Sequence, residues 1–399
     1  MTKLDQKYPS VADLERRALR RIPRFASEYV RAGIGREVGL MRNRQALDAI
    51  TFRPEYLPHR TMNRPQLGVS MFGRRYDLPF GITPFGLSDL IWPGAAKIAA
   101  AAAKKSNIPM GISSFATTRM AELAEIAPEN TWYQYYPVND PDMQSLMLSD
   151  IQKAGFRELI VTVDIPTETR RDRDLRVGLS VPPRLNAGTC FDVISHPAWA
   201  LATLREGVPR FRNLLPYVPS GLSTADAARF LLDRMEGHVT LSMLAEIRSQ
   251  WPGPLIVKGV MSGRDAERAL SVGADGIWVS NHGGRQLDAA RASVEVLPEV
   301  RAAIGKAVPL MVDSGPRTGL DIARMLALGA DFVFLGRAFI WGIAALGPAG
   351  AAHVIHILKT ELSSSMGQIG CEKIPELVRF LDQSTNIGSK QGHLTGSKG

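Results

Sequence analysis

The chain is poor in cysteine, in uninterrupted apolar stretches and in recognisable nucleotide or metal motifs. Its only cysteines, Cys190 and Cys371, lie far apart, so neither a disulfide framework nor a CxxC metal pattern is available. The longest apolar stretch, FIWGIAALGPAGAAHVIHIL, is broken by Gly342, Gly347, Pro348 and Gly350, and no membrane span of roughly 20 apolar residues is expected. The first residues are charged throughout and lack the apolar segment of a secretory signal, which points to the cytoplasm. GIGREVG from Gly33 lacks dinucleotide-fold spacing and follows a helical segment rather than a strand. Walker and HExxH sequences are absent, so a Rossmann nicotinamide site and a zinc-hydrolase site are not expected, and no metal is assigned. The net charge of +9 comes mostly from scattered arginines, without zinc-finger spacing or an RNA-recognition aromatic motif, which argues against nucleic acid.

What the chain does have is ordinary globular composition, 45% hydrophobic and 22% charged. Eight short apolar runs punctuate it: LPFGITPF, IPMGISS, TWYQYYP, ELIVTVD, PLIVKGV, DGIWVSNH, VPLMVDSG and DFVFLGR. Helical patterns separate most of them, which is the alternation of buried parallel strands with crossover helices. Eight such units are what a (β/α)8 TIM barrel requires. Periodicity alone does not distinguish that closed barrel from a doubly wound open sheet. Residues 1–60 form a helical lead-in, 61–384 the barrel, and 385–399 a polar Gly/Ser-rich tail expected to be disordered. A Pro- and Arg-rich stretch of about 177–236 breaks the rhythm after the fourth run and reads as an insertion.

In a barrel the active site gathers at the C-terminal ends of the strands. Here those ends are polar one after another: Pro84 and Gly86; Ser113; Gln134 and Tyr136; Thr162 and Asp164; Lys258; Ser280, His282 and Arg285; Asp313, Gly315 and Arg317; Gly336 and Arg337. Each alone has a plain explanation as a turn former or a paired core group; together they line one rim. Glycines and arginines at the seventh and eighth ends suit a phosphate-bearing cofactor, held by backbone N–H groups and charge-assisted contacts.

These residues resemble a known family. SNHGGRQLD, VDSGPRTGLDI, LGRAF, TVDIPTETRRDRD, YQYYP and IVKG are similar to motifs of the FMN-dependent 2-hydroxy acid dehydrogenases and oxidases. GLSDLIWPGAAKIA, HPAWALATLREGVPRFRNL and MGQIGC resemble the mandelate dehydrogenase and membrane lactate dehydrogenase branch. The resemblance implies oxidation of a 2-hydroxy acid to a 2-keto acid. It makes His282 the base, Asp164 its partner, Arg171 and Arg285 the carboxylate ligands, and Tyr29 and Tyr136 substrate contacts. Lys258 would serve the N1/O2 side of the flavin, and Pro84, Gly86, Ser113, Gln134, Thr162 and Ser280 its ring. Asp313, Gly315, Arg317, Gly336 and Arg337 would hold ribityl and phosphate.

An imidazole suits a base needed near neutral pH, and a guanidinium fork matches a planar carboxylate. His282 is compatible with the α-hydrogen leaving as a proton or as a hydride. The acceptor implied is a quinone or another oxidant. Oxygen, giving hydrogen peroxide, is the alternative, and Gly86, an alanine in several oxidases of the family, resembles the dehydrogenases. The branch also implies a homotetramer and a peripheral contact of the insertion with the inner face of the cell membrane. Arg184, Arg205, Arg210 and Arg212, beside Trp199, Leu201, Leu204, Leu214 and Leu215, suit that contact. Three positions depart from the family: Thr169 replaces a common glycine, Phe85 a usual threonine, and RAGIGRE lacks an acidic pair.

Overall fold

Each of the eight apolar runs forms a buried strand in the computed structural model, which describes residues 2–178, 187–235 and 237–382. The strands are β1 (Phe80–Ile82), β2 (Met110–Ser113), β3 (Thr131–Tyr135), β4 (Leu159–Thr162), β5 (Leu255–Val260), β6 (Gly276–Val279), β7 (Leu310–Val312) and β8 (Phe332–Leu335). They pair in parallel in chain order, and β8 returns to β1, closing a barrel. Closure decides against the open sheet and explains why the runs are apolar throughout: one face packs inside the barrel and the other under the helices.

Strand alternation then separates the barrel interior into a lower and an upper layer. Trp132, Ile160, Ile256, Trp278, Met311, Phe332 and Phe334 form one buried cluster, in which Trp278 stacks on Phe334 with ring centroids 4.0 Å apart. A short antiparallel hairpin, Val69–Met71 and Arg74–Tyr76, adds Met71 and Tyr76 to that cluster. Two residues further along the strands, on the same face, stand Gln134, Thr162, Lys258, Ser280, Asp313 and Gly336. The period of two thus turns an apolar plug into a polar rim within one side-chain layer.

The lead-in is helical and reaches the rim. Helix Val11–Ala18, capped by a Ser10–Asp13 box, is tied to the helix after β8 by Arg17 Nε donating to the Ala345 carbonyl at 2.8 Å. Helices Arg24–Arg31 and Val38–Asp48 follow. Helix Asp172–Arg176 follows β4 just ahead of the insertion, which carries helices Ala187–Ile194, Pro197–Glu206 and Thr224–Arg234. Trp199 and Leu214, expected at its surface, are instead buried; the Trp199 indole N–H donates to the Leu90 carbonyl at 3.1 Å. Arg184 and the 385–399 tail fall outside the described residues. The stretch Arg337–Ile369 is longer and more continuously apolar than its glycines suggested, but it is mostly buried in the protein as two core helices.

One carboxyl opposes the fold. Glu158, immediately before β4, is buried, and that burial pushes it up to about 7 against the pull of Arg157. With the folded value above the ordinary 4.5, the folded state holds the proton longer than the unfolded chain. Stability is therefore lost as pH rises from about 4.5 through about 7. Glu158→Gln is expected to raise stability by about 2 to 3 kcal/mol above pH 7 and to leave it unchanged near pH 4. Denaturant titrations at the two pH values check this.

Candidate active site

The chain bends sharply where β6 ends. His282 has φ +55°, a left-handed conformation uncommon outside glycine. Hydrogen bonds from neighbouring elements hold it there. The His282 N–H donates to Ser280 Oγ at 3.0 Å, and the Gly283 N–H to Ser314 Oγ at 2.9 Å. Asn281 exchanges side-chain hydrogen bonds with Asn43 of the lead-in at 2.9 and 2.8 Å. The bend directs the imidazole toward Asp164 at the end of β4, with Nδ1 at 3.1 and 3.2 Å from the two carboxylate oxygens.

That approach depends on Gly259. A Cβ there would lie 2.5 Å from Asp164 Cβ, and the residue has φ +103°, beside a register shift in β5. Burial alone would raise the Asp164 carboxyl, but the His282 ring and the more distant Lys258 ammonium hold it below the usual carboxylate range. Asp164 therefore stays ionised and orients the ring through Nδ1, and among the described residues Nε2 is left as its second nitrogen.

Lys258 is buried on the same rim. Its ammonium donates to Ser280 Oγ at 3.0 Å and lies 3.2 Å from Asp313 Oδ2. Asp313 also accepts from Thr83 and Ser280. Gln134 donates to Thr162 Oγ1 at 2.7 Å.

One large cavity of about 1140 Å³ opens above these groups. Tyr29, Pro84, Gly86, Ser113, Gln134, Tyr136, Thr162, Arg171, Lys258, His282, Arg285, Asp313, Gly315, Arg317, Gly336 and Arg337 all line it. Asp164 lies against it through His282, and Ser280 sits beneath, bracing Lys258 and His282 without lining the wall.

The mouth is strongly cationic. Arg285 and Arg171 both approach the Tyr29 ring, with guanidinium carbons 4.9 and 6.0 Å from its centroid. Burial, then Arg171, pulls Arg285 down to about 10. Burial, then Arg285 and Arg317, pulls Arg337 down to about 9. Both remain charged at neutral pH, so a bound anion would relieve crowded positive charge. Much of that donor capacity is already engaged. Arg337 donates to the carbonyls of Val30, Gly283 and Ala32, and Arg317 to Glu15 at 2.7 Å. Burial, with Asp164 next, raises the Tyr136 phenol well above its ordinary range, so its hydroxyl is neutral.

Several lining residues carried no strand-end signal: Arg44, Asn43 and Phe25 from the lead-in, Asp174 from the loop after β4, and Trp199, Phe211 and Leu231 from the insertion. Aromatic edges line one side. Phe115 meets Tyr136 at 5.1 Å and Phe211 at 5.5 Å, and Tyr29 meets Phe85 at 6.2 Å, all edge to face.

Residues 18–383 match the protein family described as FMN-dependent dehydrogenase. The chain belongs to that family. It is 34% identical over 375 residues to (S)-mandelate dehydrogenase of Pseudomonas putida, covering 94% of this chain and 93% of that protein. It is 34% identical to an L-lactate dehydrogenase of Pectobacterium atrosepticum, covering 92% and 94%. The structure of the monotopic membrane protein (S)-mandelate dehydrogenase superposes with a TM-score of 0.88, at 34% identity over 94% of this chain and 98% of that one. A mandelate oxidase superposes with a TM-score of 0.79, at 30% identity over 94% and 98%.

The enzyme is thus an FMN-dependent 2-hydroxy acid dehydrogenase, an oxidoreductase acting on a CH–OH group. The cavity fits that cofactor on its own terms. It is larger than the roughly 300–1,000 Å³ of a drug-sized ligand site. It sets a buried ammonium on its floor and arginines at its seventh and eighth strand ends.

Two glycines separate backbone strain from steric approach. Gly259→Ala should cost about 2 to 4 kcal/mol, because it also pushes Asp164 off His282. Gly155 has φ +92°, but nothing lies within 4 Å of the point where a methyl group would project, so Gly155→Ala should cost only about 1 kcal/mol. Urea unfolding of the two variants measures the difference.

Proposed function

We propose that the enzyme oxidises an L-2-hydroxy acid with an aromatic or similarly bulky apolar side chain to the 2-keto acid and passes the electrons to a quinone or related acceptor. The observation that carries this reading is a histidine–carboxylate pair sharing one cavity with two arginines that crowd a single tyrosine ring. Arg171 and Arg285 receive the substrate carboxylate, a planar anion matched by guanidinium forks. Tyr29 and Tyr136 add neutral hydroxyl contacts that fix its orientation.

His282 takes the proton that oxidation releases, through the nitrogen turned away from Asp164. Asp164, held ionised, stabilises the resulting imidazolium. Bound FMN supplies the two-electron acceptor. Pro84, Gly86, Ser113, Gln134 and Thr162 would face its ring, with Lys258 as a fixed cation where negative charge accumulates, braced by Ser280. Asp313, Gly315, Arg317, Gly336 and Arg337 would hold ribityl and phosphate, which requires Arg317 and Arg337 to share donors with their present partners. The edges of Phe85, Phe115 and Phe211 suit an aryl substituent, for which T-shaped packing is favourable.

The insertion supports a second part of the reading. Phe191, Ile194, Leu204 and Val208 are 73%, 74%, 82% and 67% exposed, and Arg205, Arg210 and Arg212 are exposed beside them. Apolar side chains ringed by arginine suit peripheral attachment to an anionic bilayer from the cytoplasmic side. A homotetramer is the proposed assembly.

Anaerobic addition of mandelate, lactate, glycolate and longer hydroxy acids should bleach the flavin absorbance, fastest with mandelate. His282→Gln should slow that reduction by about 10²- to 10⁴-fold while flavin remains bound. A protein that no hydroxy acid bleaches would reject the reading. Turnover that yields hydrogen peroxide in place of quinone reduction would reject the acceptor. Replacing Phe191, Ile194 and Leu204 by serine should release the enzyme from anionic vesicles in a sedimentation assay and leave flavin reduction unchanged.

A further inference from the structure

The arginine side of the cavity holds a carboxylate that the proposed chemistry does not use. Asp174 lies one helical turn after Arg171 and lines the cavity with it. Its Oδ2 is 3.3 Å from Arg171 Nε, an ion-pair distance without hydrogen-bond geometry. Among the described residues, neither Arg171 Nε nor Asp174 Oδ1 has a hydrogen-bond partner, although both atoms are buried. Leaving such groups unsatisfied is costly, so a purely structural pair at this position would be expected to close into a proper hydrogen bond.

The turn that carries both residues is fastened elsewhere. Arg173 points the other way and grips Glu37 with two donors, at 2.6 and 2.9 Å, and Glu28 with a third at 2.7 Å. Glu28 immediately precedes Tyr29, whose ring both cavity arginines approach. The backbone at 171–174 is therefore anchored to the lead-in without help from Asp174. Burial raises the Asp174 carboxyl; Arg171 and Arg285 oppose that, and Glu28 adds to it.

We infer that Asp174 is a resident counter-ion for the arginine pair, engaging Arg171 until the carboxylate of a substrate takes its place. The inference rests on the reading that Arg171 receives that carboxylate. Two guanidiniums confined near one ring repel each other, and an internal carboxylate offsets the repulsion while the site is free of anions. An incoming carboxylate competes with Asp174, which lowers its affinity. The same competition speeds departure of the 2-keto acid, because Asp174 reclaims Arg171 as the product leaves. Asp174 is thus a positioning residue: it sets how tightly anions are held and does not touch the reacting atoms.

The test is calorimetric titration of the holoenzyme with phenylacetate, a carboxylate without an oxidisable hydroxyl, and with phenylacetamide as its uncharged counterpart. Asp174→Asn is expected to bind phenylacetate about five- to tenfold more tightly, as an unopposed partly buried charge gains that much from an added anion, with phenylacetamide unchanged. A framework role would give the opposite sign, since a loosened Arg171 binds anions less well. Equal or weaker phenylacetate binding in a variant that retains flavin overturns the inference. Asp174→Ser repeats the test without the amide, and loss of flavin and fold in both variants assigns Asp174 to the framework and also overturns it. Arg171→Met separates the two readings. It should weaken phenylacetate at least tenfold, and unchanged affinity would reject Arg171 as the carboxylate ligand whatever the Asp174 variants do.

Discussion

The contact between Asp164 and His282 Nδ1 organises the rest of the site. The two residues are 118 positions apart and sit at the ends of strands that are not neighbours, since β5 lies between them. Their meeting requires a closed, curved sheet, a left-handed bend at His282 and the missing side chain of Gly259 on the intervening strand. Backbone strain of this kind persists only where the surroundings over-determine it. Here Ser280, Ser314 and the Asn43–Asn281 pair supply that constraint, so the ring's orientation is a property of several elements at once.

Charge in the mouth follows a related logic. Arg171, Arg285, Arg317 and Arg337 converge on one cavity, together with the ammonium of Lys258. Partial compensation comes from Asp174, Asp313 and Glu15, each placed beside a particular cation, while Asp164 faces the His282 ring. The result is a cavity in which cations outnumber the carboxylates that face them. Backbone carbonyls do part of this work: those of Tyr29, Val30, Ala32 and Gly283 accept from Arg285 and Arg337. Because three of those carbonyls close helix Arg24–Arg31 and a fourth belongs to the β6 turn, the arginines also staple the lead-in to the barrel.

The lead-in and the insertion thus convert a generic barrel rim into an enclosed site. Helix Arg24–Arg31 delivers Tyr29, and helix Val38–Asp48 delivers Asn43 and Arg44. The loop after β4 contributes Asp174 to the wall; the insertion adds Phe211 and Leu231 and buries Trp199 against the lead-in, its ring 5.6 Å from Phe25.

The eight strands and the polar residues at their ends were legible in the sequence, because strand alternation and the switch from apolar run to polar end are local properties of the chain. So were His282, Lys258 and Asp313, each standing on or just past a strand in an otherwise apolar setting. Local pattern carried no information about closure, the Asp164–His282 contact, or the burial of Trp199 and Leu214. It also could not show that Arg317 and Arg337 are engaged by the lead-in, or that Asp174, Asn43 and Arg44 reach the cavity. Those depend on which distant segments pack together, and only the folded chain brings them within the few ångströms over which hydrogen bonds and ion pairs act.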